Sequence, residues 1–162
     1  MRADFLQVAD DGSIARGRLY IARPGRLRLE YDPPVTVVMV SDGDWLTYID
    51  YGLGQTSQMP LGDTPAAVLV AGRVRLSGAI TVTRVARRAG SLRLTLVRTK
   101  DPEAGSLTLV FSETPFALRQ WVVTDTQGFT TRITLAHVER DVKLEPSLFE
   151  APPPAPAGES GR

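Results

Sequence analysis

Gly17-Arg18-Leu19-Tyr20-Ile21-Ala22-Arg23-Pro24-Gly25-Arg26-Leu27-Arg28-Leu29-Glu30-Tyr31, residues 17–31, decides the fold. Leu19 and Ile21 alternate with Arg18, Tyr20 and Ala22. Beyond Pro24-Gly25, Leu27, Leu29 and Tyr31 alternate with Arg26, Arg28 and Glu30. A period of two sends successive side chains to opposite faces of a strand, so this stretch is a pair of strands with one dry face and one wet face.

Working outward, Pro33-Pro34 cannot donate to a ladder, and residues 35–40 are apolar at nearly every position, as in a strand covered on both faces. Ser41-Asp42-Gly43-Asp44 turns the chain, and residues 45–50 return beside 35–40 as a hairpin. A glycine-spaced segment, Tyr51-Gly52-Leu53-Gly54-Gln55, follows. Residues 65–71 read as the one helix, with Thr64 as its cap and Pro65 at the first helical position. Ala66, Ala67, Val68, Leu69 and Val70 give that helix no polar face, so it is covered on most sides or lies against a removable ligand. Strands resume at 79–87, 91–99, 105–112, 116–124 and 129–138, separated by Gly, Pro and Asp turn signals. Many strands with short local connections and one small helix predict a strongly bent antiparallel sheet or an open barrel.

The length of 162 residues suits one domain, here 1–150, followed by a Pro- and Ala-rich tail, 151–162, that reads as disordered. With 43% apolar and 23% charged residues and a formal charge of +1, the chain has no nucleic-acid footprint. The absence of cysteine excludes disulfides, thiolate metal sites and a cysteine nucleophile. No apolar run reaches the roughly 18 residues that span a bilayer, and Met1-Arg2-Ala3-Asp4 does not resemble a secretory signal.

Chemistry finds little to build on. His137 is the sole histidine, and no Gly-x-Ser-x-Gly elbow is present. His137 reads as a half-buried neighbour near the end of the last long strand. Asp42 and Asp44 flank Gly43 as a solvated turn rather than a cation site, and Gly52-x-Gly54 is too short for a dinucleotide loop. Arg84, Arg87 and Arg88 beside Ala89-Gly90 read first as the solvated end of a hairpin, with a partner's acidic face as the alternative. Trp45 and Trp121 suit a core or an interface. Arg23 is different, because it keeps the parity of Leu19 and Ile21. It is either an inward arginine that needs acceptors or the sign of a register break at the strand end.

The ordered set Phe5-x-Gln7, Gly17-x-Leu19-Tyr20, Arg23-Pro24-Gly25-Arg26-Leu27-Arg28, Tyr31-x-x-Pro34, Ser41-Asp42-Gly43, Asp50, Thr64-Pro65, Phe111, Pro115-Phe116-x-Leu118, Trp121, Asp125-x-Gln127-Gly128 and Leu148-Phe149 resembles the periplasmic outer-membrane lipoprotein carrier (LolA-type) family. The resemblance implies an incomplete antiparallel β-barrel with a short helical lid over its concave face. It implies a periplasmic chaperone, not an enzyme and without cofactor or metal. Such a chaperone takes acylated lipoproteins from an inner-membrane ABC-type releasing complex, shields their acyl chains and delivers them to an outer-membrane lipoprotein receptor. Arg23 then corresponds to a latch bonded to carbonyls near Leu69 and Met39. Leu27 corresponds to the cavity mouth, Leu29 continues inward, and Val37 and Trp45 lie near the cavity. Family members place a signal and an amphipathic helix before the Phe-x-Gln clause, whereas Phe5 stands four residues from Met1. Either the sequence starts inside a longer one or that helix is absent, and in the second case the apolar patch left behind favours self-association. A lipoprotein- or lipid-sensing regulatory domain on the same fold is the alternative, and an enzyme on this scaffold would need convergent polar groups on the concave face.

Overall fold

The computed structural model describes residues 1–156. The strands are β1 (Arg2–Ala9), β2 (Ile14–Ala22), β3 (Arg26–Tyr31), β4 (Val37–Asp42), β5 (Trp45–Asp50), β6 (Gln55–Pro60), β7 (Ile80–Arg88), β8 (Ser91–Arg98), β9 (Ser106–Glu113), β10 (Phe116–Thr124) and β11 (Thr130–Glu139). One helix, α1 (Ala66–Val70), and two 3₁₀ turns, Leu61–Asp63 and Pro146–Phe149, complete the elements. The strands form one antiparallel sheet in the order β6-β5-β4-β3-β2-β1-β11-β10-β9-β8-β7. The order has two ends and does not close, so the fold is mainly β and open, as the meander predicts.

The described residues fall into two compact units, one of Met1–Asp4, Ala15–Gly72 and 138–156, the other of Phe5–Ile14 and Arg73–His137. In the first unit Leu19, Ile21, Leu27, Val40 and Ile49 are almost wholly buried. The hairpins follow from turn chemistry: Asp42 Oδ1 accepts the N–H groups of Asp44 and Trp45, each at 2.9 Å, and closes the β4–β5 turn. Those two donors hold the Asp42 carboxyl below the usual carboxylate range, which is the work of a turn residue. In the second unit Leu96, Leu107, Leu109, Trp121, Ile133 and Leu135 form the core. Trp121 pairs with both Leu109 and Ile133, so the three share one face of the sheet.

Several expectations need correction. Residues 55–60 form a further strand, β6, whose polar and fully exposed sequence carries no alternation; it is an edge strand paired only with β5 among the described residues. Thr64 does not cap α1, since Pro65 occupies that position and Thr64 Oγ1 donates instead to Leu61 O at 2.8 Å. His137 is exposed rather than half-buried, with φ 49°, at the point where β11 leaves regular extended backbone. Of the tail expected to be disordered, residues 157–162 lie outside the described residues. Within its described part, Tyr51 Oη donates to Pro153 O at 3.1 Å and Ala155 N to Thr56 Oγ1 at 3.3 Å.

Candidate functional site

Register sorts the first unit's side chains into two faces. Leu19 pairs with Leu29 and Ile21 with Leu27; Leu29 then pairs with Met39 and Leu27 with Ser41; Val37 pairs with Asp50 and Ser41 with Leu46. Directly opposed residues lie on the same face. One face therefore brings together Leu27, Leu29, Val37 and Met39, four of the residues that the sequence singled out. Leu27 and Leu29 are 1% and 3% exposed, Val37 is buried and Met39 half-buried. Tyr31 and Tyr48 close the same face, since Tyr31 pairs with Gly17 and Tyr48 with Met39. Burial, with Tyr48 as a second cause, pushes the Tyr31 phenol up to about 12.

Trp45 does not belong to this group. It pairs with Pro60, one step out of phase with the Leu46–Met59 pair, so it lies on the opposite face and is 44% exposed. Residues 37–40 are apolar throughout, so that run alone fixes no parity; the Ser41–Leu46 pair does, and it puts Leu46 where Trp45 was expected. The opposite face has its own cover, the 3₁₀ turn Pro146–Phe149. Phe149 is buried beneath the Arg26 guanidinium, 5.4 Å from the ring centroid, and Arg28 Nη1 donates to Leu148 O at 3.2 Å.

Arg23 is the register break. β2 ends at Ala22, Pro24 brings no donor, and Arg23 is exposed. Its Nε nevertheless donates to Leu69 O at 3.2 Å, at the end of α1. Met39 is not a second acceptor among the described residues, because its backbone is engaged between Leu29 and Tyr48 in the ladder. The partner that sequence reasoning missed is Gly25, whose N–H donates to Val70 O at 2.8 Å. The turn between β2 and β3 thus holds two successive carbonyls of α1, groups that lack partners within a helix end. Leu69 and Val70 are themselves buried, 5% and 1% exposed.

Gly25 is fixed in turn. Its carbonyl accepts Ser41 Oγ at 2.7 Å, with Ser41 fully buried, and its φ is +79°. A Cβ at Gly25 would lie 2.8 Å from Gly43 Cα, so both the backbone conformation and the close passage of two turns require glycine here. Two glycines after prolines or acids in successive turns were the available signal, but only register shows that Gly25 and Gly43 meet.

A mostly apolar face of Leu27, Leu29, Val37 and Met39 within an open antiparallel sheet, and a short apolar helix tethered by the β2–β3 turn, define a mainly β, open-sheet protein. The chain belongs to the family "Outer membrane lipoprotein carrier protein LolA", whose sequence profile matches residues 1–152. It is 30% identical over 164 residues to the outer-membrane lipoprotein carrier protein of Methylococcus capsulatus, covering 96% of this chain and 78% of that one. It is 31% identical over 163 residues to the protein of the same name from Chromobacterium violaceum, covering 95% and 77%. In fold it is similar to a crystal structure of an uncharacterized conserved protein from Thermus thermophilus, with a TM-score of 0.50 at 13% identity over 96% of this chain and 88% of that one.

Proposed function

We propose that this protein is a periplasmic, non-enzymatic chaperone that binds the acyl chains of lipoproteins. It accepts them from an inner-membrane ABC-type releasing complex and delivers them to an outer-membrane lipoprotein receptor. The observation that carries the reading is the family match across residues 1–152. The first unit supplies a physical means: Leu27, Leu29, Val37, Met39 and Leu69 form the acyl-binding surface, and α1 is its movable cover.

The magnitudes suit transfer rather than storage. One acyl chain of about 15 methylenes gains on the order of 12 kcal/mol from leaving water, at about 0.8 kcal/mol each. The Arg23–Leu69 bond, charge-assisted but partly exposed, is worth about 1–2 kcal/mol, and the Gly25–Val70 bond about 1 kcal/mol. Breaking both costs about as much as burying three or four methylenes returns. A cargo chain therefore opens α1 readily, while the tendency of the two bonds to re-form biases the loaded state toward release. Arg23 is the latch in this scheme.

Spheroplasts with labelled lipoproteins test the reading. Adding the protein should move acylated lipoprotein into the soluble fraction, and lipoprotein that stays in the membrane at every protein concentration contradicts the carrier role.

A further inference from the structure

Residues 64–100 contain eight Lys and Arg and no Asp or Glu. Register within the second unit shows where part of this charge collects. Arg84 pairs with Thr95, Arg93 with Ala86 and Arg88 with Ser91, so Arg84, Arg88 and Arg93 share one face, with Arg93 between the other two. Such diagonal cross-strand neighbours lie roughly 7–8 Å apart at Cα. The row Arg84-Thr95-Thr108-Val122-Arg132 places Arg132 on the same face. Arg87 pairs with Leu92 on the other face, where its Nε lies 2.8 Å from Glu113 Oε1.

Arg84, Arg88, Arg93 and Arg132 are all exposed, and among the described residues none of them is in an ion pair. Glu113, the one carboxylate in β7 to β10, is turned away with Arg87. Like charges at the spacing of Arg84, Arg93 and Arg88 repel, while Arg132 stands four strands from Arg84, about 19 Å along the row. Protection of the β7 edge accounts for arginines in β7 but not for Arg93 in β8 or Arg132 in β11. The pattern therefore calls for an anionic partner.

The neighbours decide which partner. Thr95 bonds Thr108 at 3.1 Å and Gln120 Nε2 donates to Thr134 Oγ1 at 2.8 Å, so these polar side chains between the arginines satisfy one another. The aromatic side chains of these strands, Phe111, Phe116 and Trp121, pair with Leu92, Glu113 and Leu109 and so lie on the opposite face. Register places the half-buried Val110 and Val122 on this face, small side chains set between the polar rows, and no aromatic residue of these strands joins them to make the centre of a protein interface, whereas a mobile array of phosphates adapts to the arginine spacing.

We propose that the Arg84, Arg88, Arg93 and Arg132 face docks transiently on a membrane surface through anionic phospholipid headgroups. The proposal does not depend on lipoprotein carriage, and its test uses none. Purified protein is sedimented with vesicles of phosphatidylcholine alone or mixed with phosphatidylglycerol. Binding should require phosphatidylglycerol and fall as salt shortens the Debye length from about 10 Å toward 3 Å. At about fivefold in affinity per basic residue, the R84Q/R88Q/R93Q variant should lose roughly a hundredfold. The R84K/R88K/R93K variant, which keeps the charge, should bind like the parent and so separates charge from packing. Absence of phosphatidylglycerol-dependent binding by the parent overturns the proposal. So does retention on immobilised polyglutamate but not on vesicles, which assigns the face to an acidic protein.

Discussion

Replacing Arg23 with leucine removes the Nε–H that holds Leu69 O at 3.2 Å while leaving the Gly25–Val70 bond in place. A hydrogen bond from a charged donor contributes about 1.5–3 kcal/mol net, and the exposure of Arg23 places this one at or below the low end. A loss of about 1–2 kcal/mol raises the population with α1 released by roughly 5- to 30-fold. The chain contains no cysteine, so a single Leu69→Cys substitution gives a clean thiol probe at a side chain that is 5% exposed. When closing outruns labelling, the rate of reaction with a thiol reagent reports the open fraction. Arg23→Leu on the Leu69→Cys background should speed labelling by that factor with little change in the urea midpoint. In a hand-off assay the same variant should retain cargo. A labelling rate unchanged by Arg23→Leu would remove the latch from the account.

Gly25→Ala forces a side chain into left-handed backbone, at about 1–2 kcal/mol, and sets its Cβ against Gly43 Cα; urea unfolding should show a loss of at least about 2 kcal/mol, and wild-type stability would refute the argument. Leu27→Glu puts a carboxylate at a site 1% exposed and should cost several kcal/mol or abolish acyl binding; a stable variant with normal binding means the Leu27 face is not the acyl surface. Tyr31 has a folded-state value of about 12 against an ordinary 10.0, so its contribution is complete below pH 10 and lost as pH rises toward 12. That loss, about 2–3 kcal/mol, should appear in unfolding curves across this window and be reduced in Tyr31→Phe; identical profiles for the two proteins would contradict it.

Periodicity carried most of the sheet because its strands have one dry face: β3 and β8 to β11 lie within a residue or two of where alternation and turn residues put them. It failed at β6, where Gln55, Thr56, Ser57 and Gln58 form an exposed edge with nothing to alternate. The group Leu27, Leu29, Val37 and Met39 was legible because strand parity survives from β3 into β4. Trp45 was not, because its face depends on a pairing across the Asp42–Asp44 turn that hydrophobicity alone does not reveal. Arg23 could be singled out because it keeps the parity of Leu19 and Ile21, but parity left an inward arginine and a register break both open, and the end of β2 at Ala22 is what marks the break. The Gly25, Ser41 and Val70 contacts join residues far apart in the chain, and only the assembled turns bring them together.

The carrier account is tested most directly by mixing the purified protein with a triacylated lipoprotein and with the same polypeptide lacking its acyl chains, then measuring soluble complex by size exclusion. A complex that forms with the acylated protein alone, and is weakened by Leu27→Glu, is the predicted result. Equal binding of the two forms, or binding of neither, contradicts it.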